Sequence, residues 1–254
     1  MQILLTNDDG IYAPGLAAME RALKRLGEVC VVAPAIEQSG VGHSITFLSP
    51  LMAKEVYEGE RRRGFAVEGS PADCVKLGVA EFCPRRPDLL VSGINGGLNL
   101  GINVLYSGTV AGATEGAVYG ITSVAVSLEY DEHAQFDRAA ELAVNLIEQI
   151  LAKEDVADHN LYNINIPTSA FVRPTEVRVV PMATVGWAAE FDRRVDPKGR
   201  RYYWATGVAP LPVVGELTDL EAWQKGYVTL TPLRIDRTET GMLEQMRNWK
   251  FSLK

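Results

Sequence analysis

The chain has 254 residues, 47% of them apolar and 22% charged, which excludes a disordered or fibrous protein. Its 25 basic against 32 acidic side chains leave a formal net charge of −7, the wrong sign for a dedicated nucleic-acid coat. A nucleotide-sized ligand stays allowed, because a bound metal inverts the field of a single cleft. Cys30, Cys74 and Cys83 are odd in number and form no Cys-x-x-Cys pair, which favours a reducing compartment. The first nine residues carry no basic region and already include Asp8 and Asp9, unlike a secretory signal. The most apolar stretch, Val110 to Leu128, is broken by Glu115 and several glycines and does not read as a membrane span. A cytoplasmic location is expected.

In chain order, residues 3–6 form a short apolar run, as in a strand buried on both faces. Pro14-Gly15 then opens a helical pattern through Leu16, Met19, Leu23 and Leu26, with Gly27 at its end. Residues 28–33 make a second buried strand. Residues 45–68 read as a strand-rich excursion with a charged turn at 58–63, whose Arg61, Arg62 and Arg63 are expected at a solvated tip. Ser70 and Pro71 start a helix over 71–82. Strands are predicted at 89–92 and 121–127 with a helix near 110–119 between them, and a longer helix over 134–152. The alternation predicts an α/β fold, a doubly wound and mostly parallel Rossmann-like sheet, over residues 1–155. Past that point strands dominate, around 161–166, 177–181, 201–205 and 227–231, before a helix at 238–249. Residues 156–254 are therefore expected to form a smaller strand-rich C-terminal lobe, with a basic stretch from Arg193 to Arg201 and the aromatics Trp187, Tyr202, Tyr203 and Trp204 suited to an interface.

Ligands of open α/β sheets bind beyond the carboxyl ends of the strands. Three polar loops follow such ends: Asn7 to Gly10, Glu37 to Ser44, and the glycine-rich run from Ser92 to Thr109. The adjacent carboxylates Asp8 and Asp9 repel unless a cation or shared proton neutralises them, or unless one caps the next helix and the other faces water. With Ser39 and Asn95 they form an all-oxygen set, suited to Mg²⁺, Mn²⁺ or Ca²⁺ rather than zinc. Between Leu89 and Leu128 the one formal charge is Glu115. Ser107-Gly108-Thr109 opens a helix whose free N–H groups suit a phosphate, unless the run is an ordinary loop with a threonine cap. Gly112, Gly116 and Gly120 are expected to let that helix pack closely on the sheet.

Five blocks in order resemble the SurE family of survival-protein-E 5′/3′-nucleotidases. They are Thr6 to Gly10, Ser39-Gly40, Gly69 to Val75, Ser92 to Asn95 and Tyr106 to Val110. The resemblance implies a metal-dependent hydrolysis of nucleoside 5′-monophosphates, and of 3′-monophosphates, to nucleoside and phosphate. It implies one divalent ion per subunit, Mg²⁺ or Mn²⁺ (with Ca²⁺ as a crystal substitute), held by Asp8, Asp9, Ser39 and Asn95. Asp8, Asp9 and Asn95 are the implied catalytic residues, and Gly40, His43, Asn99, Ser107, Gly108 and Thr109 the implied substrate contacts. His43 either meets substrate or the leaving oxygen, or is a loop residue with no chemical role. Asn103 departs from the aspartate usual there, and Ser70 replaces a threonine but keeps the hydroxyl. A homodimer or homotetramer built by strand and tail exchange is also implied, with no nucleic-acid duplex or membrane as partner.

Two other chemistries compete. A haloacid-dehalogenase-type phosphatase needs Asp-x-Asp, which the adjacent Asp8 and Asp9 do not provide. A non-catalytic nucleotide-binding module would carry Gly-x-Gly-x-x-Gly after the first strand, where Gly10 is instead followed by Ile-Tyr-Ala-Pro-Gly. No cysteine is followed six residues later by arginine, which excludes a thiol phosphatase.

Overall fold

The computed structural model describes residues 1–153, 160–184, 189–207 and 217–252. Period-2 burial organises its centre. In β1 (Gln2–Thr6), Ile3 and Leu5 face one side while Leu4 faces the other, and all three are fully buried. The first side is covered by α1 (Pro14–Leu23) and α4 (Phe136–Leu151), the second by α2 (Pro71–Leu77) and α3 (Gly108–Val118). A strand apolar on both faces is stable only between two helical layers, and β1 is one.

The main sheet has nine strands. Its parallel centre runs, in spatial order, β4 (Arg61–Val67), β2 (Glu28–Pro34), β1, β5 (Leu89–Gly96), β6 (Thr122–Leu128) and β7 (Leu161–Ile166). β3 (Ala53–Glu58) lies antiparallel on the β4 edge, while β11 (Val228–Pro232) pairs antiparallel with β7 and parallel with β8 (Val177–Val179). The chain winds from β1 outward to β4, then returns to β5 and winds the opposite way. Strand order therefore reverses between β1 and β5, which opens a crevice at their carboxyl ends.

The doubly wound, mostly parallel sheet agrees with the sequence reading, and several details differ. Three of the strands expected in a separate C-terminal lobe, β7, β8 and β11, extend the main sheet: β7 and β11 pack apolar side chains on the same core, and the mostly exposed β8 pairs with β11 at the edge. The expected boundary at 155/156 lies outside the described residues. β9 (Ala189–Val195) and β10 (Arg201–Gly207) form a two-stranded hairpin of their own. Tyr202, Tyr203 and Trp204 are exposed on it, Arg194 pairs with Asp192 and Arg200 with Asp196, and Trp187 lies outside the described residues. Residues 45–52 form no strand. The charged turn shrinks to Gly59-Glu60, so the three arginines are strand residues: Arg62 binds Glu55, and half-buried Arg63 binds Glu20 and the carbonyl of Ile11.

Helix ends follow their local chemistry. Ser70 and Asp73 make a reciprocal capping box at α2, which stops at Leu77 and continues as a π-helical turn, Gly78–Phe82. Ser107, not Thr109, caps α3 by accepting the Val110 N–H at 3.1 Å. Gly112 and Gly116 do bring α3 close: a Cβ on them would stand 2.9 Å from Ser92 Oγ and 2.5 Å from Ser123 Oγ. Gly120 serves differently, ending the helix at φ +68°. The sequence reading set bounds for neither the strand β9 nor the short helix α5 (Asp219–Gln224). α6 (Thr240–Arg247) follows near the end of the chain, with Met242, Leu243 and Met246 exposed.

Candidate active site

The crevice between β1 and β5 receives the loop after each strand. Asn7 is fully buried and its side chain closes the turn by donating to the Gly10 carbonyl at 2.9 Å. That turn points Asp8 at the N-terminus of α3. Asp8 is 4% exposed and accepts a short bond from the Thr109 hydroxyl. The approach is tight, because a Cβ on Gly108 would stand 2.8 Å from Asp8 Cβ and 3.0 Å from its Oδ2. Burial pushes the Asp8 carboxyl up to about 6, with the Asp9 charge adding to it and the Thr109 hydroxyl opposing it. Asp9 is half-buried and bridges to β5, accepting the Gly96 N–H at 3.2 Å. Its carboxyl is also raised, by burial and by the nearby Glu37.

Neither aspartate caps α1, whose N-cap residue is Ala13 with no side-chain cap. Among the described residues neither has a basic partner in an ion pair. Two carboxylates held against each other, one of them buried, thus lack a counter-charge from the protein. That is the electrostatic signature of a cation site, and the donor set fits a hard divalent ion.

The other sequence-nominated residues divide. Asn95 lies in β5 and its Nδ2 donates to the Gly97 carbonyl at 2.6 Å, which commits the amide nitrogen and leaves the oxygen for a ligand. Ser107, Gly108 and Thr109 are buried together at the start of α3. The group at that helix terminus is the Asp8 carboxylate, so a phosphate would meet the helix dipole and the aspartate side by side. Ser39 is exposed and donates to Glu37 at 2.6 Å, while its neighbour Gln38 anchors the loop by donating its N–H to the Asp8 carbonyl at 2.7 Å. Gly40 is exposed at φ +73° with no atom within 4 Å of an added Cβ. His43 turns to α3, its Nε2 lying 2.7 Å from Glu115 Oε2. It lines a cleft of about 380 Å³ together with Ser107 and Thr114, with Arg234 and Arg237 among the other walls.

Asn99 is fastened from behind. Its Nδ2 donates to Ser127 Oγ at 2.8 Å, its N–H to Asn165 Oδ1 at 2.8 Å, and its carbonyl accepts from Asn163 Nδ2 at 2.8 Å. The structure places it as a buried support of the glycine-rich loop. Asp219 does similar work: its carboxylate accepts the N–H groups of Gly101, Ala183 and Leu220 at 2.8–2.9 Å. Sequence reasoning passed over Asp219, although Thr218 and Glu221 around it spell a capping signature.

With this geometry in place, the comparisons with known proteins are specific. The sequence profile of the family described as "Survival protein SurE" matches residues 3–189. A 5′-nucleotidase SurE of Rhodopirellula baltica is 53% identical over 252 residues, covering 99% of each chain. One of Syntrophobacter fumaroxidans is 43% identical over 251 residues, covering 99% of this chain and 100% of that one. Among solved structures, the SurE protein from Aquifex aeolicus superposes with a TM-score of 0.83 at 37% identity, covering 97% of this chain and 98% of that one.

Proposed function

The chain belongs to the SurE family, and from that premise we propose that it is a metal-dependent 5′-nucleotidase, hydrolysing nucleoside 5′-monophosphates, and 3′-monophosphates, to nucleoside and phosphate. The observation that carries the reading is the adjacent pair at the switch point of the sheet, buried Asp8 facing a helix N-terminus and half-buried Asp9 facing β5, with no counter-charge among the described residues. Neither a binding module nor a haloacid-dehalogenase-type phosphatase accounts for the same set, and relatives matched over nearly the full chain carry the nucleotidase name.

Asp8, Asp9, Asn95 and Ser39 would hold one Mg²⁺ or Mn²⁺, Ser39 after leaving Glu37. When bound, the ion neutralises the aspartates and acts as a Lewis acid toward the phosphoryl group and its attacking water. The chain's own residues supply the rest. The first N–H groups of α3, beyond Ser107, donate toward the equatorial oxygens of a phosphate, where charge accumulates. Asp8, beside that terminus, orients the nucleophile through a carboxylate oxygen. Gly108 keeps the helix terminus and the carboxylate in contact, and the Asn99 and Asp219 bonds fix the glycine-rich loop over them. His43 borders the cleft that takes the nucleoside side of the ester, and Gly40 lets its loop approach the substrate. The exposed β9–β10 hairpin and the apolar side chains of α6 are the surfaces for the expected homodimer or homotetramer. No helix among the described residues is long and apolar enough to cross a membrane.

Phosphate release from a panel of nucleoside monophosphates, with Mg²⁺ or Mn²⁺ and with EDTA, tests the reading. Metal-dependent release supports it. Tight nucleotide binding without release would show a binding module instead.

A further inference from the structure

Glu115 is the one formal charge between Leu89 and Leu128, and it sits in the middle of α3, 4% exposed. A buried carboxylate must be compensated. Lys76 of α2 donates to its Oε1 at 2.6 Å, and His43 approaches its Oε2 at 2.7 Å from the loop across the cleft. Burial raises the Glu115 carboxyl, and the bonds from His43 and Lys76 outweigh this, holding it below the usual carboxylate range. Lys76 alone would balance the charge, so the second oxygen is free to serve the imidazole.

The loop that carries His43 has other anchors, none of them on the ring. Gly42 N–H donates to the Tyr106 carbonyl at 2.9 Å, Ser70 Oγ donates to the Ser44 carbonyl at 2.7 Å, and Thr46 donates from N–H and hydroxyl to Asp73. Among the described residues Glu115 is the hydrogen-bond partner of the His43 ring. The charged and titratable groups around the pair are Lys76 and Asp73 on α2, Tyr119 just past the end of α3, and Arg234 and Arg237 on the cleft wall. Among the described residues no carboxylate lines that cleft with them.

Resting on the nucleotidase reading, we infer that Glu115 is a positioning residue: its Oε2 fixes His43 as the Nε2–H tautomer and leaves the Nδ1 lone pair for the substrate side. An ionised carboxylate only accepts, so a neutral ring beside it must place its proton on Nε2. Lys76 makes the assignment testable. A lysine ammonium only donates, so in Glu115→Gln it keeps the amide oxygen and the amide NH₂ is left facing His43. The ring must then accept at Nε2, and its proton moves to Nδ1.

The experiment records ¹⁵N shifts of the histidine rings at a pH where imidazole is neutral, in the full-length protein. Wild type is expected to show Nε2–H for His43, and E115Q to show Nδ1–H. Phosphate release by E115Q is expected to fall about tenfold or more, the loss a misplaced ring proton brings. H43A and the H43A/E115Q double variant are expected to lose no more than the larger single loss, since both act through one ring. Adding Lys76→Met to E115Q frees the amide to turn its oxygen to His43, which should restore the Nε2–H tautomer and part of the activity. A tautomer unchanged in E115Q, or losses that multiply in the double variant, overturns the inference. The ring shifts are read without substrate, so they stand or fall separately from nucleotidase activity.

Discussion

Asp8→Asn should make the metal-free protein more stable while abolishing its turnover. The carboxyl of Asp8 moves from an ordinary 3.8 to about 6 on folding, first through burial and then through Asp9. Its folded value is raised, so the folded chain binds the extra proton between these two values and loses stability as pH rises through them. At 1.36 kcal/mol per tenfold change in the proton equilibrium, ionised Asp8 costs about 3 kcal/mol at pH 8. At pH 4 the same relation leaves less than about 1 kcal/mol. Asparagine carries no charge and keeps an oxygen for the Thr109 hydroxyl, so the variant escapes the cost. Thermal unfolding in EDTA should place D8N above wild type by roughly 6–12 °C at pH 8, with the gap closing toward pH 4. Divalent metal should raise the wild-type midpoint at pH 8 and leave that of D8N in place. Equal midpoints in EDTA at pH 8, or a gap indifferent to pH, would refute the electrostatic reasoning.

Three other substitutions probe the supports of the site. Gly108→Ala puts a Cβ 2.8 Å from that of Asp8; steady-state kinetics should show kcat/KM down by about 100-fold, the effect of displacing a reacting group by an ångström. Asp219→Asn loses an acceptor for at least one of three buried N–H groups; urea unfolding should report a loss of about 2 kcal/mol, with KM raised because Gly101 is released. Ser39→Ala, which removes an exposed hydroxyl now bonded to Glu37, should weaken Mn²⁺ binding about tenfold in a calorimetric titration and leave the unfolding midpoint unmoved.

Much of the fold was legible because its signals are local. The apolar runs at 28–33 and 89–92 announced parallel strands, and Ser70-Pro71 announced a capped helix, as found. Where pairing depends on distant partners, the sequence was silent. Nothing near Leu161 or Val228 says that their strands extend the main sheet, since that follows from the edge of β6 that β7 covers and the edge of β7 that β11 covers. The polar residues of β9 carry no clean alternation, and its partner β10 supplies the pairing. For the site, adjacency exposed Asp8 and Asp9, and strand-end position exposed Asn95 and Ser107 to Thr109. The structure places Ser39 against Glu37 and Asn99 against Ser127, contacts that no spacing rule foretells. Glu115 stood out as a charge in an uncharged stretch, yet its partners Lys76 and His43 lie 39 and 72 residues away. Asp219 could have been seen through the Thr218–Glu221 cap, but its service to Gly101, 118 residues off, could not.

The central claim is that a dication neutralises Asp8 and Asp9. Anomalous diffraction from a crystal soaked in Mn²⁺ measures this directly. The account predicts one peak per chain within roughly 2.5 Å of a carboxylate oxygen of each aspartate. A saturated soak with no peak between those two side chains would contradict it.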